Sequence, residues 1–305
     1  MTEKSRILVG IDLSETDEYL LKFLRILSPH VDFEKIYLFH IHSLKHIPDK
    51  IKNKYLSDNV PEDESIRASL KILKEKYFDE ADQKKVEVEV RDGNPEKDML
   101  RWTRSNNIDL LILGKKPDSS GSGKLAKKMV NLADASVLLI PKVKLKKTET
   151  IYVALDHSEV SIMAIKIAID LAKKIGAKII CHHVYRVPSG YHTSGKSYEE
   201  FAEIMRKNAE EQTQEMLKDM AVGDAKLNFE YSLDKDDDPA KVIASFSKDL
   251  QPDIVFIGSK GRTAAASLLL GSVAEKCLDY ITQTPVYVVK KEGDNLDFID
   301  MILKL

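Results

Sequence analysis

At 305 residues the chain exceeds one ordinary domain of about 150 residues, so two domains are expected, each able to bury a core without staples. Apolar residues at 43 %, charged residues at 31 %, 13 Gly and 10 Pro exclude a fibrous or disordered chain. The 47 basic and 49 acidic side chains cancel to a net charge of -2, which leaves no global field for duplex nucleic acid or an anionic membrane. Cys181 and Cys277 fall in no CxxC pair and fit reduced thiols better than a disulfide framework or a zinc site. Ile7 to Ile11 is too short an apolar run for a signal-peptide core or a membrane span, and a cytoplasmic protein is expected.

The sequence repeats itself. Asp12 and Asp156 each end an apolar run in Asp-x-Ser, and they stand 144 positions apart. The same offset of 144 recurs for Pro95 and Pro239, Asp109 and Asp253, and Gly114 and Gly258. Residues 142–149, polar and Lys-rich, read as a linker between domains at 1–142 and 149–290.

In chain order, Ile7 to Ile11 and Ile151 to Leu155 read as parallel strands covered on both faces. Helices follow, marked by Leu20, Leu24 and Leu27 in one half and by Ile162, Ile165, Ile169 and Ala172 in the other. Ser14 and Ser158 are expected as their N-caps, and Gly176 as the stop of the second. Second strands are predicted at 35–41 and 178–184, and a helix around 198–220. Val86, Val88 and Val90, like Leu227, Phe229 and Tyr231, alternate with polar residues, which marks edge strands wet on one face. Asn94-Pro95 and Asp238-Pro239 place a capping residue before a proline, opening a third helix in each half. Fourth strands follow at 110–113 and 254–257, and fifth strands at 137–140 and 286–289. Leu296, Ile299, Ile302 and Leu303 predict a tail helix within 291–305 that packs on the chain's own domains.

Alternating strands and helices predict two tandem doubly wound, Rossmann-like α/β domains, each a five-stranded parallel sheet of order 3-2-1-4-5 with helices on both faces. Ligands of such sheets sit beyond the carboxyl ends of the strands where the order reverses, here between strands one and four. Asp12 and Gly114 end those strands in one half, and Asp156 and Gly258 in the other.

After the fourth strand of the second half stand Gly258-Ser-Lys-Gly261-Arg262 and, after nine further residues, Gly271-Ser272 opening a helix. Glycines admit an anion close to the backbone, and amides at a helix N-terminus point at phosphate oxygens. Arg262 and the Ser272 hydroxyl add charge and hydrogen bonds.

This Gly-x2-Gly-x9-Gly-Ser pattern, after an apolar strand and with Asp156 ending strand one, resembles the ATP-binding motif of the universal stress protein family. The resemblance covers nearly the whole chain as two tandem copies. It implies a stress-response protein that holds ATP, with or without Mg, through Asp156, Val184, Gly258, Gly261, Arg262, Gly271, Ser272 and Val273. The family's strand-end histidine corresponds to either His182 or His183, and the placement of Val184 depends on which. The resemblance also implies halves associated through their fifth strands, the chain being either a monomer with an internal pseudo-dimer or a homodimer.

The first half departs from the pattern. Pro117 stands where the second glycine belongs, Gly114 and Gly123 are closer together than Gly258 and Gly271, and Lys124 replaces the serine. Weak or no nucleotide binding is expected there. Gly121-Ser-Gly123-Lys124 is no P-loop, since Asp118 holds the first-glycine position and Leu125 follows the lysine. Ser14, Ser158 and Ser272 lack a nucleophile elbow, and no base is evident for attack on a γ-phosphate, so ATP is expected as a conformational ligand hydrolysed slowly at most. His182 and His183, being adjacent in a strand, face opposite ways and cannot share a metal, whereas His40 and His42 face the same way. The alternative function is a nucleotide-independent scaffold that binds a protein partner.

Overall fold

The computed structural model describes residues 5–31, 33–42, 62–116, 121–143, 148–261 and 270–291. The chain forms two compact α/β units, the second spanning Lys146–Lys291. Residues 292–305 of the expected tail helix and residues 144–147 of the linker lie outside the described residues. Among the described residues no helix is long and apolar enough to cross a membrane.

The first unit runs β1 (Ser5–Gly10), α1 (Thr16–Leu27), β2 (Phe33–His42), α2 (Glu62–Tyr77), α3 (Glu80–Gln83), β3 (Val86–Asp92), α4 (Pro95–Ser105), β4 (Leu110–Lys115), α5 (Gly121–Leu132) and β5 (Ser136–Pro141). The second runs β6 (Thr150–Leu155), α6 (Glu159–Ile175), β7 (Lys178–Tyr185), a 3-10 turn (Tyr191–Ser194), α7 (Tyr198–Lys218), β8 (Leu227–Leu233), α8 (Pro239–Leu250), β9 (Ile254–Gly258), α9 (Ser272–Tyr280) and β10 (Val286–Val289).

All pairings within each unit are parallel. In the first, β3 pairs with β2, β2 with β1, β1 with β4 and β4 with β5. In the second, β8 pairs with β7, β7 with β6, β6 with β9 and β9 with β10. The first strand therefore lies between the second and fourth in each unit. Burial on both faces explains the unbroken apolar runs: Leu8, Val9, Ile151, Tyr152 and Val153 are all fully buried. Val86 and Val90 of β3 are buried while Glu87 is exposed, as expected of a strand wet on one face.

The repeat has a structural anchor at Asp109 and Asp253. The Asp109 carboxylate accepts from the Arg6 amide at 2.7 Å, and the Asp253 carboxylate accepts from the Glu149 and Thr150 amides at 2.8 and 2.9 Å. Each aspartate, just ahead of the fourth strand, thus sets the start of the first strand beside it. Their own amides return the contact, to the carbonyls of Arg6 and Thr150 at 3.0 Å.

The helix ends follow the sequence in part. Ser158 caps α6 by accepting from the Ser161 amide at 3.2 Å, and Gly176 ends that helix at φ 74°, a conformation easy only for glycine. Asn94 caps α4 through the Glu96 and Lys97 amides. Ser14, in contrast, is not the N-cap of α1; Glu15 holds that position without a side-chain cap bond. Asp238 holds the N-cap position of α8, but its carboxylate is drawn to Lys276 at 3.3 Å and Tyr280 at 3.2 Å and makes no cap bond. On α6 the buried stripe is Val160, Ala164, Ile165, Ala168, Ile169 and Ala172, while Ile162 is only half-buried.

Asp253→Ala removes a charged acceptor from two amides and is expected to destabilise the second unit by about 2 kcal/mol. Chemical denaturation should show the loss, and Asp253→Asn, which keeps one acceptor oxygen, should recover part of it.

Candidate functional site

The second unit has a cavity of about 520 Å3 at the carboxyl ends of β6, β7 and β9, within the range of small-molecule sites. Asp156, Val184, Gly258, Gly261, Gly271, Ser272 and Val273 all line it. Arg262, the remaining candidate from the sequence, lies outside the described residues.

Each glycine has a spatial reason. A Cβ on Gly261 would stand 2.7 Å from the Asp156 carboxylate, so the loop's approach to that carboxylate requires glycine. A Cβ on Gly258 would crowd the Ser161 amide and Val160 at 3.3 Å, where α6 packs on the strand end. Gly271 donates to the Ser259 carbonyl at 2.7 Å, which closes the loop from β9 back on itself, and its Cβ would meet the same carbonyl at 3.3 Å. The Ser158 hydroxyl also donates to the Lys260 carbonyl at 3.3 Å, tying the loop to the start of α6.

Gly271 is the N-cap of α9 and supplies no side-chain cap. The amides of Ser272, Val273 and Ala274 belong to the first turn, which has no intrahelical acceptors, and all three residues line the cavity. The helix dipole adds partial positive charge there. Beside the glycine loop, the Asp156 carboxylate accepts from the Ser158 amide at 3.0 Å. The site therefore offers donors at one end and a carboxylate acceptor beside them.

Strand alternation separates the two histidines of β7. His183 lines the cavity, and its Nδ1 lies 2.9 Å from the Leu155 carbonyl, so Nδ1 carries the proton and the ring is fixed. His182 points to the other face, where its Nδ1 meets the Tyr152 hydroxyl at 2.7 Å and its ring stacks on Phe246 at 4.2 Å. Its Nε2 is buried without a partner. Burial first, and the neighbouring His183 second, push the His182 pKa down to about 4. The strand-end histidine of the cavity is thus His183, and Val184 follows it on the cavity wall.

The first unit builds the corresponding corner differently. His40 repeats the anchoring of His183, with Nδ1 2.8 Å from the Ile11 carbonyl. Yet the Lys116 ammonium sits on the Asp12 carboxylate and lies 2.6 Å from the Ser14 hydroxyl. Asp17, 144 positions before the cavity-lining Ser161, sets a second carboxylate there, only 4 % exposed. It accepts from the Ser14 amide at 3.1 Å. Burial, and then the charge on Asp12, push the Asp17 carboxyl up to about 7. Neither Lys116 nor Asp17 is signalled by the sequence motif; only the 144-residue offset, applied to Ser161 and Lys260, points to them. Pro117 lies outside the described residues. Among the described residues, no group of three or more His, Cys, Asp or Glu is placed to hold a metal, and the rings of His40 and His42 stack at 6.3 Å.

The two buried groups give opposite pH dependences. The folded Asp17 keeps its proton up to about 7 whereas the unfolded chain releases it near 3.8, so its contribution to stability is lost as pH rises across that window. The folded His182 refuses a proton until about 4 whereas the unfolded chain takes one at 6.5, so stability is lost as pH falls across that window. Denaturant titrations at pH 5 and pH 8 should show Asp17→Asn gaining on wild type by roughly 2 kcal/mol more at pH 8. His182→Gln should gain relatively at pH 5.

Comparison with known proteins agrees with the repeat. The profile of the universal stress protein family matches residues 4–141 and again residues 147–290. A universal stress protein of Methanocaldococcus jannaschii is 31 % identical over 143 residues, which is 46 % of this chain and 81 % of that protein. Among solved structures, a universal stress protein from Archaeoglobus fulgidus superimposes with a TM-score of 0.64 at 18 % identity, over 95 % of this chain and 97 % of that one. A functionally unknown protein from Pseudomonas aeruginosa gives a TM-score of 0.67 at 16 % identity, over 99 % of this chain and 98 % of that one. At those identities the two structures speak for the fold alone.

Proposed function

The chain belongs to the universal stress protein family, and from that premise we propose that its second unit binds ATP as a regulatory ligand of the stress response, with at most slow hydrolysis. One observation carries this reading: the Asp156 carboxylate, the glycine-lined loop and the uncapped N-terminus of α9 converge on a single cavity. Phosphate oxygens would take the amides of Ser272, Val273 and Ala274 with the helix dipole behind them, and the Ser272 hydroxyl would add a donor. Gly258, Gly261 and Gly271 keep side chains out of that approach, and Arg262 would contribute charge. Asp156 suits hydroxyl or amino donors of the adenosine, and Val184 lines the far wall. Magnesium, where it accompanies the nucleotide, would draw its oxygen ligands largely from the phosphates.

The first unit is assigned no nucleotide. Lys116 already neutralises Asp12, and Asp17, which loses its proton above about pH 7, adds a negative charge beside them where the second unit has Ser161. One site per chain follows.

Acid extraction of freshly purified protein followed by chromatography, and calorimetric titration with ATP, test this directly. Wild type should bind one ATP per chain. Gly271→Val should abolish binding: the backbone at φ -72° and ψ 146° accepts a β-branched residue, but its Cβ presses on the Ser259 carbonyl at 3.3 Å and fills the cradle, so a thermal melt of the variant must show that the fold is kept. No nucleotide in the extract and no heat at millimolar ATP would overturn the assignment and leave a protein-binding scaffold as the reading to pursue.

A further inference from the structure

We infer that Asn208 on α7 reads the base of the ligand and makes the second unit select adenine over guanine nucleotides; this rests on the nucleotide reading above. The glycine loop and the N-terminus of α9 belong to the β9 side, β6 lies between, and β7 lies beyond it. Two strand spacings separate β9 from β7, about 10 Å. A ligand whose phosphates rest on the amides of α9 therefore brings its opposite end under α7.

The face that α7 turns to that end is uncharged. Met205, Asn208, Ala209 and Gln212 line the cavity at helical spacing i, i+3, i+4 and i+7. A flexible thioether, a methyl group and two carboxamides suit a flat, neutral, heteroatom-edged group and offer nothing to a phosphate or a carboxylate. Of the two carboxamides, Gln212 already has an interaction within the protein. Asn208 is exposed at the cavity mouth, and its carboxamide makes no hydrogen bond among the described residues. One donor and one acceptor held side by side match the amino group and ring nitrogen along the adenine edge, but not the two acceptors that guanine presents there.

The first unit lacks this group. Glu89 and Glu230 occupy matching places in their sheets, opposite Phe39 and His182, and lie 141 positions apart, as do the last residues of α2 and α7, Tyr77 and Lys218. At that offset Arg67 stands in the place of Asn208, and its guanidinium donates to the Val88 carbonyl at 3.1 Å. The carboxamide is thus a feature of the unit with the glycine loop.

Calorimetric titration of the full chain with ATP and with GTP tests the inference on wild type, Asn208→Leu and Asn208→Asp. Wild type should bind ATP about tenfold or more tightly than GTP. Asn208→Leu should weaken ATP about tenfold, change GTP little and so collapse the ratio. Asn208→Asp, which presents acceptors only, should weaken ATP about tenfold and gain nothing for GTP, whose matching edge carries two acceptors. Thermal melts superimposable on wild type are expected for both variants, since the side chain is exposed. Wild-type ATP binding with an ATP-to-GTP ratio unchanged in Asn208→Leu would overturn the role of Asn208 while leaving the nucleotide site standing. Absence of any nucleotide binding by wild type would instead remove the underlying site, and this inference with it.

Discussion

In both units the chain leaves its first strand through a left-handed residue that is not glycine, Leu13 at φ 58° and His157 at φ 62°. Such a residue costs on the order of 1 kcal/mol, and everything at the site depends on it. The turn reverses the backbone between the strand and the helix, and it carries Asp12 or Asp156 over the carboxyl end of the fourth strand. From there each aspartate accepts from the serine amide two positions on, at 3.3 Å in the first unit and 3.0 Å in the second. In the second unit the strained residue is held by packing: the His157 ring lies 4.5 Å from that of His183, and its Nε2 meets the buried Thr213 hydroxyl at 2.9 Å. In the first unit the equivalent Leu13 is 45 % exposed and has no comparable ring or hydrogen-bond contact among the described residues.

The two units show how one backbone can surround the first-strand aspartate differently through a few side chains. Both keep the first-strand aspartate, the left-handed turn and the strand-end histidine anchored on the preceding carbonyl. They differ in what surrounds the aspartate. In the second unit a glycine loop comes so close to Asp156 that any side chain on Gly261 would collide with it. In the first, the ammonium of Lys116, whose side chain is 16 % exposed, lies on Asp12, and a buried Asp17 replaces the cavity-lining serine. A partly buried ion pair of this kind fixes local charge far more firmly than the solvent-exposed pairs elsewhere on the surface, such as Arg186 with Asp237. The first unit satisfies its own site internally; the second keeps a cavity with donors at one end.

Outside the site the repeat drifts, and the drift is itself informative. First-strand and fourth-strand landmarks keep an offset of 144, with Ile7 opposite Leu110 and Ile151 opposite Ile254, and Asp109 and Asp253 bond back to the first strand at matching places. The second strands pair at an offset of 143, with Phe39 opposite Gly10 and His182 opposite Ala154, and the third strands at 141. The long connection ahead of the third strand absorbs the difference, since loop length on a surface costs little. The register returns to 144 at Pro95 and Pro239, where the third helix must again meet the fourth strand.

The order of residues alone carries the tandem repeat, the α/β class and the edge character of the third strands, because hydrophobic period, glycine spacing and repeat register are properties of order along the chain; the resemblance to the family named the candidate site residues, seven of which line the cavity. Order along the chain could not decide matters that depend on which side chains meet across the fold. Ser14 and Asp238 have the composition of helix caps, yet capping is a matter of direction, and Lys276 and Tyr280 take the Asp238 carboxylate away. Two adjacent histidines look alike in sequence, and only the pleat of β7 sends His183 to the cavity and His182 to Tyr152 and Phe246. The lysine on Asp12, the carboxylate of Asp17 and the carboxamide face of α7 became visible only with the tertiary structure, because each acts on groups brought near by parallel strands whose sequence neighbours lie far away.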